Sequence, residues 1–150
     1  MTEIQVLDIK EIDIIKPLWE ELNSMHKGKS IHFSDDFANF SFEKRKQTLI
    51  QKDKLLILIC KKKDNNQIIG YCISSITNNI EGEIDSIYIK PLYRKQHLGS
   101  ILIKKSMEWF AKEDISNIEI LVAHGNEEVL PFYEKFGFYP RTYKLKQKLK

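Results

Sequence analysis

Apolar residues along this chain follow two different periods, and the order in which the periods alternate outlines a mixed α/β domain. Residues 3 to 8 (EIQVLD) alternate and read as a strand, whereas Ile12, Ile15, Leu18, Trp19, Leu22 and Met25 recur at helical spacing over residues 11 to 26. Pro17 fits that helix in its first turn or at a kink. The stretch SFEKRKQTLIQ, 41 to 51, predicts a second helix entered through Ser41, with Lys44 where a full capping box would carry Glu. Residues 27 to 40, between the two, are rich in His, Phe and Asp and read as an irregular segment able to fold over a ligand.

Three β-branched runs follow: 54 to 61 (KLLILICK), 67 to 77 (QIIGYCISSIT) and 82 to 90 (GEIDSIYIK). The connections KKDNN and TNNIE have hairpin chemistry, so the runs predict an antiparallel meander. Helical spacing returns at Leu98, Ile101, Leu102, Trp109 and Phe110. A strand at 117 to 123, a short helix at 127 to 136 and a last strand after Gly137 complete the order β α α β β β α β α β. In the tail, YKLKQKLK places Lys144, Lys146 and Lys148 on one face of a strand and Tyr143, Leu145 and Leu149 on the other, and such lysines discourage edge-to-edge pairing.

Composition narrows the class without naming it. With 150 residues, 42% hydrophobic and 30% charged, and with no repeat or Pro/Gly-rich linker, residues 1–150 are expected to form one globular domain. Cys60 and Cys72 sit inside apolar runs and suit small core side chains in a reducing compartment. Neither a secretory leader nor a membrane-spanning run is visible, so a cytoplasmic protein without a membrane partner is expected. The net charge of +3 is scattered and the pI is 8.7, which argues against a nucleic-acid partner. The four histidines, His26, His32, His97 and His124, lack ligand spacing, so no metal is expected.

The candidate chemistry lies in DSIYIKPLYRKQHLGSILIKKSMEWF, residues 85 to 110. A strand runs into Pro91, a basic turn follows, and a helix opens at Gly99 and Ser100. Unpaired N–H groups and the positive end of the helix dipole make that turn a seat for a pyrophosphate; a tight strand-to-helix connection is the bland alternative. Arg94, Lys95, Gln96, His97, Leu98, Gly99 resembles the acetyl-CoA signature of the GCN5-related N-acetyltransferases (GNAT), which runs Arg or Gln, two residues, Gly, one residue, Gly or Ala. His97 replaces the first glycine. A non-glycine residue resists positive φ there, but the amide donor stays, so binding is expected to survive.

NEEVLPFYEKFGF, 126 to 138, resembles the second cofactor segment of the same family, with Asn126 at the head of a helix and Tyr133 on it flanking the thioester. The resemblance runs from about Ile68 to Arg141. It implies the GNAT fold: a central, mostly antiparallel sheet of six to seven strands, the fourth and fifth splayed apart, flanked by about four helices. It also implies acetyl-CoA as co-substrate, its phosphates on the amides of 95 to 100 and its pantetheine arm along the backbone of Ile87, Tyr88 and Ile89, with a nearby amide facing the developing oxyanion.

The implied reaction is direct acetyl transfer to a primary amine, in a small molecule or a protein, within a ternary complex. An alkyl amine is neutral in only about one molecule in 2,500 at pH 7, so a proton acceptor is needed. Glu83, eleven residues before Arg94, stands where some members carry a catalytic glutamate, and Asp85 shares its strand parity. A solvated carboxylate is the alternative for either. Tyr133 suits the acid that protonates the departing thiolate. A non-catalytic acyl-CoA-binding or sensor module is the rival reading. A phosphate-loop enzyme and a dinucleotide-binding enzyme both fail for want of their glycine patterns. For the acceptor, residues 26 to 40 are the candidates, with Asp35 and Asp36 as attractors and Phe33, Phe37 and Phe40 as walls. The sequence leaves a homodimer open.

Overall fold

The computed structural model describes residues 1–149. One five-stranded sheet runs in sequence order, β1 (Thr2–Leu7), β2 (Lys54–Lys62), β3 (Ile68–Thr77), β4 (Glu81–Ile89) and β5 (Asn117–Ile120). The first four strands pair antiparallel and β5 joins β4 in parallel. In the β3–β4 hairpin Asn78 and Asn79 both take positive φ, a conformation asparagine tolerates better than most residues.

Helices cover both faces, which is why central β3 is buried from Ile69 to Ile76. On one face α1 (Lys16–Lys29) and α3 (Phe42–Ile50) pack Leu18, Trp19, Phe42 and Leu49 against Ile57, Ile59, Tyr71 and Ile73. On the other, α4 (Leu98–Lys112) sets Leu102, Ile103 and Phe110 against Leu58, Ile69, Ile76 and Ile84. Cys60 and Cys72 belong to that second core, and burial pushes their thiols up to about 12 and about 11. They are unreactive packing residues.

Several expectations hold and others change. A 3₁₀ turn over Ile9–Ile15 precedes α1, so the spacing at 11 to 26 spans two elements, and Pro17 falls in the first turn of the second. Ser41 caps α3 by accepting the Lys44 N–H at 3.2 Å. The 27 to 40 segment holds the end of α1 and a short helix, α2 (Ser34–Ala38). The short helix expected at 127 to 136 divides into a 3₁₀ turn, Glu127–Val129, and α5 (Leu130–Glu134).

The strand expected after Gly137 does not form: residues 138 to 149 carry no strand, and the sheet has five strands rather than six or seven. Period-two alternation specifies which face a strand would bury but not an edge for it to join. Tyr143, Leu145 and Leu149 are exposed, and Lys146 pairs with Asp36 at 3.1 Å instead.

Gly82 lets α4 approach β4. A Cβ there would lie 2.8 Å and 3.0 Å from ring carbons of Phe110 and 3.1 Å from Ile115, and the Phe110 ring is fully buried. Gly82→Ala is expected to cost about 1–3 kcal/mol, read as a lower urea midpoint; an unchanged midpoint would refute the close packing.

Candidate active site

The site begins with a fault in the sheet. β4 and β5 pair at four positions, Glu81↔Asn117 to Ile84↔Ile120, and then part. The parting coincides with a bulge: Ser74 opposes Ile84 and Ile73 opposes Ser86, leaving Asp85 without a partner on β3. Bulges twist and re-aim a strand, and here the side-chain parity inverts. Gly82 and Ile84 face α4, whereas beyond the bulge Ile87 and Ile89 do so. Asp85 and Ser86 consequently both point toward α1 and α3, with Ser86 at 2.7 Å from the Tyr71 hydroxyl. Between the diverging strands opens a cleft of about 700 Å³, lined by Ile84–Ile89 on one side and Ile120–Ala123 on the other.

At one end of the cleft lies the turn into α4. Lys95 and His97 both adopt left-handed φ, +67° and +62°, so the backbone geometry that glycine would favour is present without it. His97 stands directly before the helix, and no side chain caps the N–H groups of its first turn. Arg94, Lys95, His97, Leu98, Gly99 and Ser100 line the cleft; Gln96 is exposed and does not. Arg94 is tied back by its Nε–H to the Ile89 carbonyl at 2.8 Å, with its guanidinium 5.3 Å from the Tyr88 ring centre. Lys135 adds a further cation to the lining.

The facing wall carries Asn126 and Tyr133, both buried. Asn126 precedes the 3₁₀ turn, and its Oδ1 accepts from Lys29 Nζ at 3.0 Å, which joins α1 to this wall. Gly125, at φ +102°, seals the joint: a Cβ there would stand 2.2 Å from the Lys29 carbonyl oxygen. Burial, then proximity to Cys72, raises the Tyr133 hydroxyl to about 12.

The other end lies between β4, α1, α2 and α3. The Asp85 carboxylate is buried there, its side chain 1% exposed, with Arg45 at 4.0 Å and Lys52 at 3.9 Å. Neither oxygen makes a hydrogen bond of good geometry within the described residues. Burial drives its pKa up to about 6, helped by Glu83 and held back by Ser75, Arg45 and Lys52. Arg45 also donates to the Asp85 carbonyl at 2.8 Å, fixing the bulge to α3.

Glu83 stands one pair back, 3.6 Å from Lys52, and does not line the cleft. Of the residues expected to form the acceptor wall, Phe37 and Phe40 line the cleft; Phe33, Asp35 and Asp36 lie outside it, beside the tail. His26 stands at the start of the segment expected for the acceptor, whereas Trp19 and Arg45, which also line the cleft, were not singled out as site residues from the sequence. Nothing in a helical pattern separates such residues from ordinary core or surface. The bulge did leave a trace, because isoleucine moves from position 84 to 87 and 89, breaking the period of two.

Comparison with known proteins agrees with this geometry. The family model described as Acetyltransferase (GNAT) family matches residues 16–138. "Putative ribosomal protein bS18-alanine N-acetyltransferase" of Bacillus subtilis is 26% identical over 121 residues, covering 81% of this chain and 76% of its own. Among solved structures, a GCN5-related N-acetyltransferase from Ralstonia eutropha superposes with a TM-score of 0.77 at 14% identity, covering 98% of both chains. The PaiA N-acetyltransferase of Thermoplasma acidophilum in complex with coenzyme A gives 0.76 at 20% identity, covering 96% of this chain and 93% of that one. With its parted strands, its helix-opening turn and a family match over most of its length, the chain belongs to the GNAT family of acetyltransferases.

Proposed function

We propose that this acyltransferase moves an acetyl group from acetyl-CoA directly to a primary amine, both reactants meeting in the one cleft. The observation that carries this reading is continuity: a cationic, amide-rich turn and a buried carboxylate whose oxygens make no hydrogen bond among the described residues occupy opposite ends of the same opening. The residues fit the cofactor. The first-turn amides of α4, with Arg94 and Lys95 beside them, suit a pyrophosphate, and the edge of β4 that β5 leaves over Ile87, Tyr88 and Ile89, where Arg94 holds only the Ile89 carbonyl, suits an amide-containing arm. When bound, acetyl-CoA supplies an activated thioester. Amides near Ile87 would face the carbonyl oxygen as negative charge grows on it.

Two side chains would manage protons. Asp85 is the base we favour over Glu83, because it adjoins the cleft and its carboxylate oxygens make no hydrogen bond among the described residues, Arg45 and Lys52 standing no nearer than 3.9 Å; it takes the amine proton through one water molecule. Glu83 acts through it, since a second carboxylate nearby raises its proton affinity. Tyr133 stays protonated at neutral pH and donates to the departing thiolate. Asn126, anchored by Lys29, holds the wall on which Tyr133 stands. Release of free thiol from acetyl-CoA in the presence of an amine panel tests the reading, alongside tighter, salt-sensitive binding of CoA relative to pantetheine.

Asp85→Asn should lower kcat/KM by about 10² or more at neutral pH, with partial recovery at high pH, whereas Glu83→Gln should lose less than about tenfold. Equal losses would return the base to Glu83. Tyr133→Phe should lower turnover by about 10² while leaving CoA affinity unchanged.

The same carboxyl sets a stability signature. Its folded pKa of about 6 lies above the ordinary 3.8, so its protonated form is the stabilised one. The contribution is fully present below pH 3.8 and is lost as pH rises through about 6. Relative to Asp85→Asn, the native chain should therefore lose up to about 3 kcal/mol across that window, read by urea unfolding at a series of pH values. A constant difference would refute the shift.

His97→Gly should keep CoA affinity and raise stability by about 1 kcal/mol, since it relieves a left-handed non-glycine residue. A severalfold loss of affinity would mean that the ring itself holds a phosphate.

A further inference from the structure

We infer that the acceptor is a small amine carrying one charge and an apolar body, an aryl-alkyl or branched alkyl primary amine, and that polycationic amines are excluded. The inference rests on the transfer reading above and adds the substrate class.

The acceptor end of the cleft is walled by Trp19, Leu22, Met25, Phe37 and Phe40. Trp19 and Phe40 meet edge to face with centres 5.8 Å apart, and Phe37 lies 5.5 Å from the His26 ring. Such a wall rewards apolar surface and offers few polar partners. The one amide on it has its donor committed, Asn23 Nδ2 donating to the Phe37 carbonyl at 2.8 Å and to the Phe40 carbonyl at 3.3 Å, and its Oδ1 offers an ammonium a neutral acceptor but no counter-charge. Burial, then the charge of Lys29, lowers the pKa of His26, so its ring adds no charge at neutral pH.

Charge separates the amine classes further. Among the described lining residues Asp85 is the one acid, against Arg45, Arg94, Lys95 and Lys135. That carboxylate is buried and faces Arg45 and Lys52. Neighbouring acids are committed elsewhere, Glu83 to Lys52, Asp36 to Lys146, and Glu21 to Lys90 and the Tyr88 hydroxyl. A second or third ammonium on the acceptor would meet no carboxylate free of a cation and would approach the Arg45 guanidinium, a like-charge contact in a partly desolvated site. A single amine, deprotonated on arrival at Asp85, escapes that penalty, and its apolar body covers the aromatic wall.

The test is thiol release from acetyl-CoA by the full chain with phenethylamine, 3-methylbutylamine, putrescine, spermidine, kanamycin and a tripeptide with N-terminal alanine. The expected result is that kcat/KM for the better apolar monoamine exceeds that for spermidine and kanamycin by about 10² or more, because the polycations lack a counter-charge. Phe37→Ala should raise the KM for phenethylamine about tenfold with CoA affinity unchanged, as loss of an apolar contact shared by ground and transition states requires. Preference for spermidine, kanamycin or the peptide would overturn this inference and leave acetyl transfer standing. Release with no amine, despite CoA binding, would overturn both. An unchanged phenethylamine KM in a folded Phe37→Ala protein would remove the aromatic wall from the acceptor site.

Discussion

The cleft in this molecule depends on the hydrogen bonds that β4 and β5 do not make beyond Ile84 and Ile120. A sheet normally satisfies each interior N–H and C=O, and leaving a row unpaired away from water is costly. Here four parallel pairs close the lower part of the sheet and the bulge at Asp85 releases the rest. Past the bulge, the edge of β4 that β5 leaves is a strand edge held open inside the protein rather than at its rim, with Arg94 taking the Ile89 carbonyl at its far end. A ligand with an amide backbone of its own is the natural partner for such an edge, and the α4 turn stands where a charged end of that ligand would lie.

Holding the fault open requires forces from both faces. Arg45 grips the Asp85 carbonyl from α3, while Phe110 presses against Gly82 from α4 just before the bulge. Lys29 crosses to Asn126 and secures the opposing wall to α1. The carboxylate trapped at the bulge opposes stability when ionised, and Lys95 and His97 hold left-handed conformations that glycine would adopt more cheaply. Such local penalties persist when the surrounding packing over-determines them, and here all three border the cleft.

Much of the fold was legible because it is local. The meander is encoded in β-branched runs and asparagine turns, α3 in its Ser41 cap, and the basic turn before Gly99 in six consecutive residues. Asn126 and Tyr133 were legible through their spacing ahead of Gly137. Glu83 and Asp85 could not be separated, since both share one parity and both face Lys52; only the bulge and the packing of α3 set Asp85 beside the cleft and leave Glu83 outside its lining. The tail misled for a related reason. YKLKQKLK has the alternation of a strand, but alternation is a property of one segment and pairing is a property of two.

The acceptor wall illustrates the harder limit. Trp19, Phe37 and Phe40 come from α1, α2 and the loop after it, and each has a spacing suited to ordinary core. Trp19 serves both purposes, since it also packs against buried Phe42 with ring centres 5.5 Å apart. Its outward edge lines the cleft because the sheet beneath has parted, so an otherwise conventional helix–sheet contact becomes part of a cleft wall. On the acceptor reading proposed above, specificity would arise where core packing is interrupted, from residues drawn from the same apolar stripe that folds the helix. A pattern that identifies the stripe cannot tell which of its members will face protein and which will face a substrate; that distinction is made by the strand geometry on the other side of the contact.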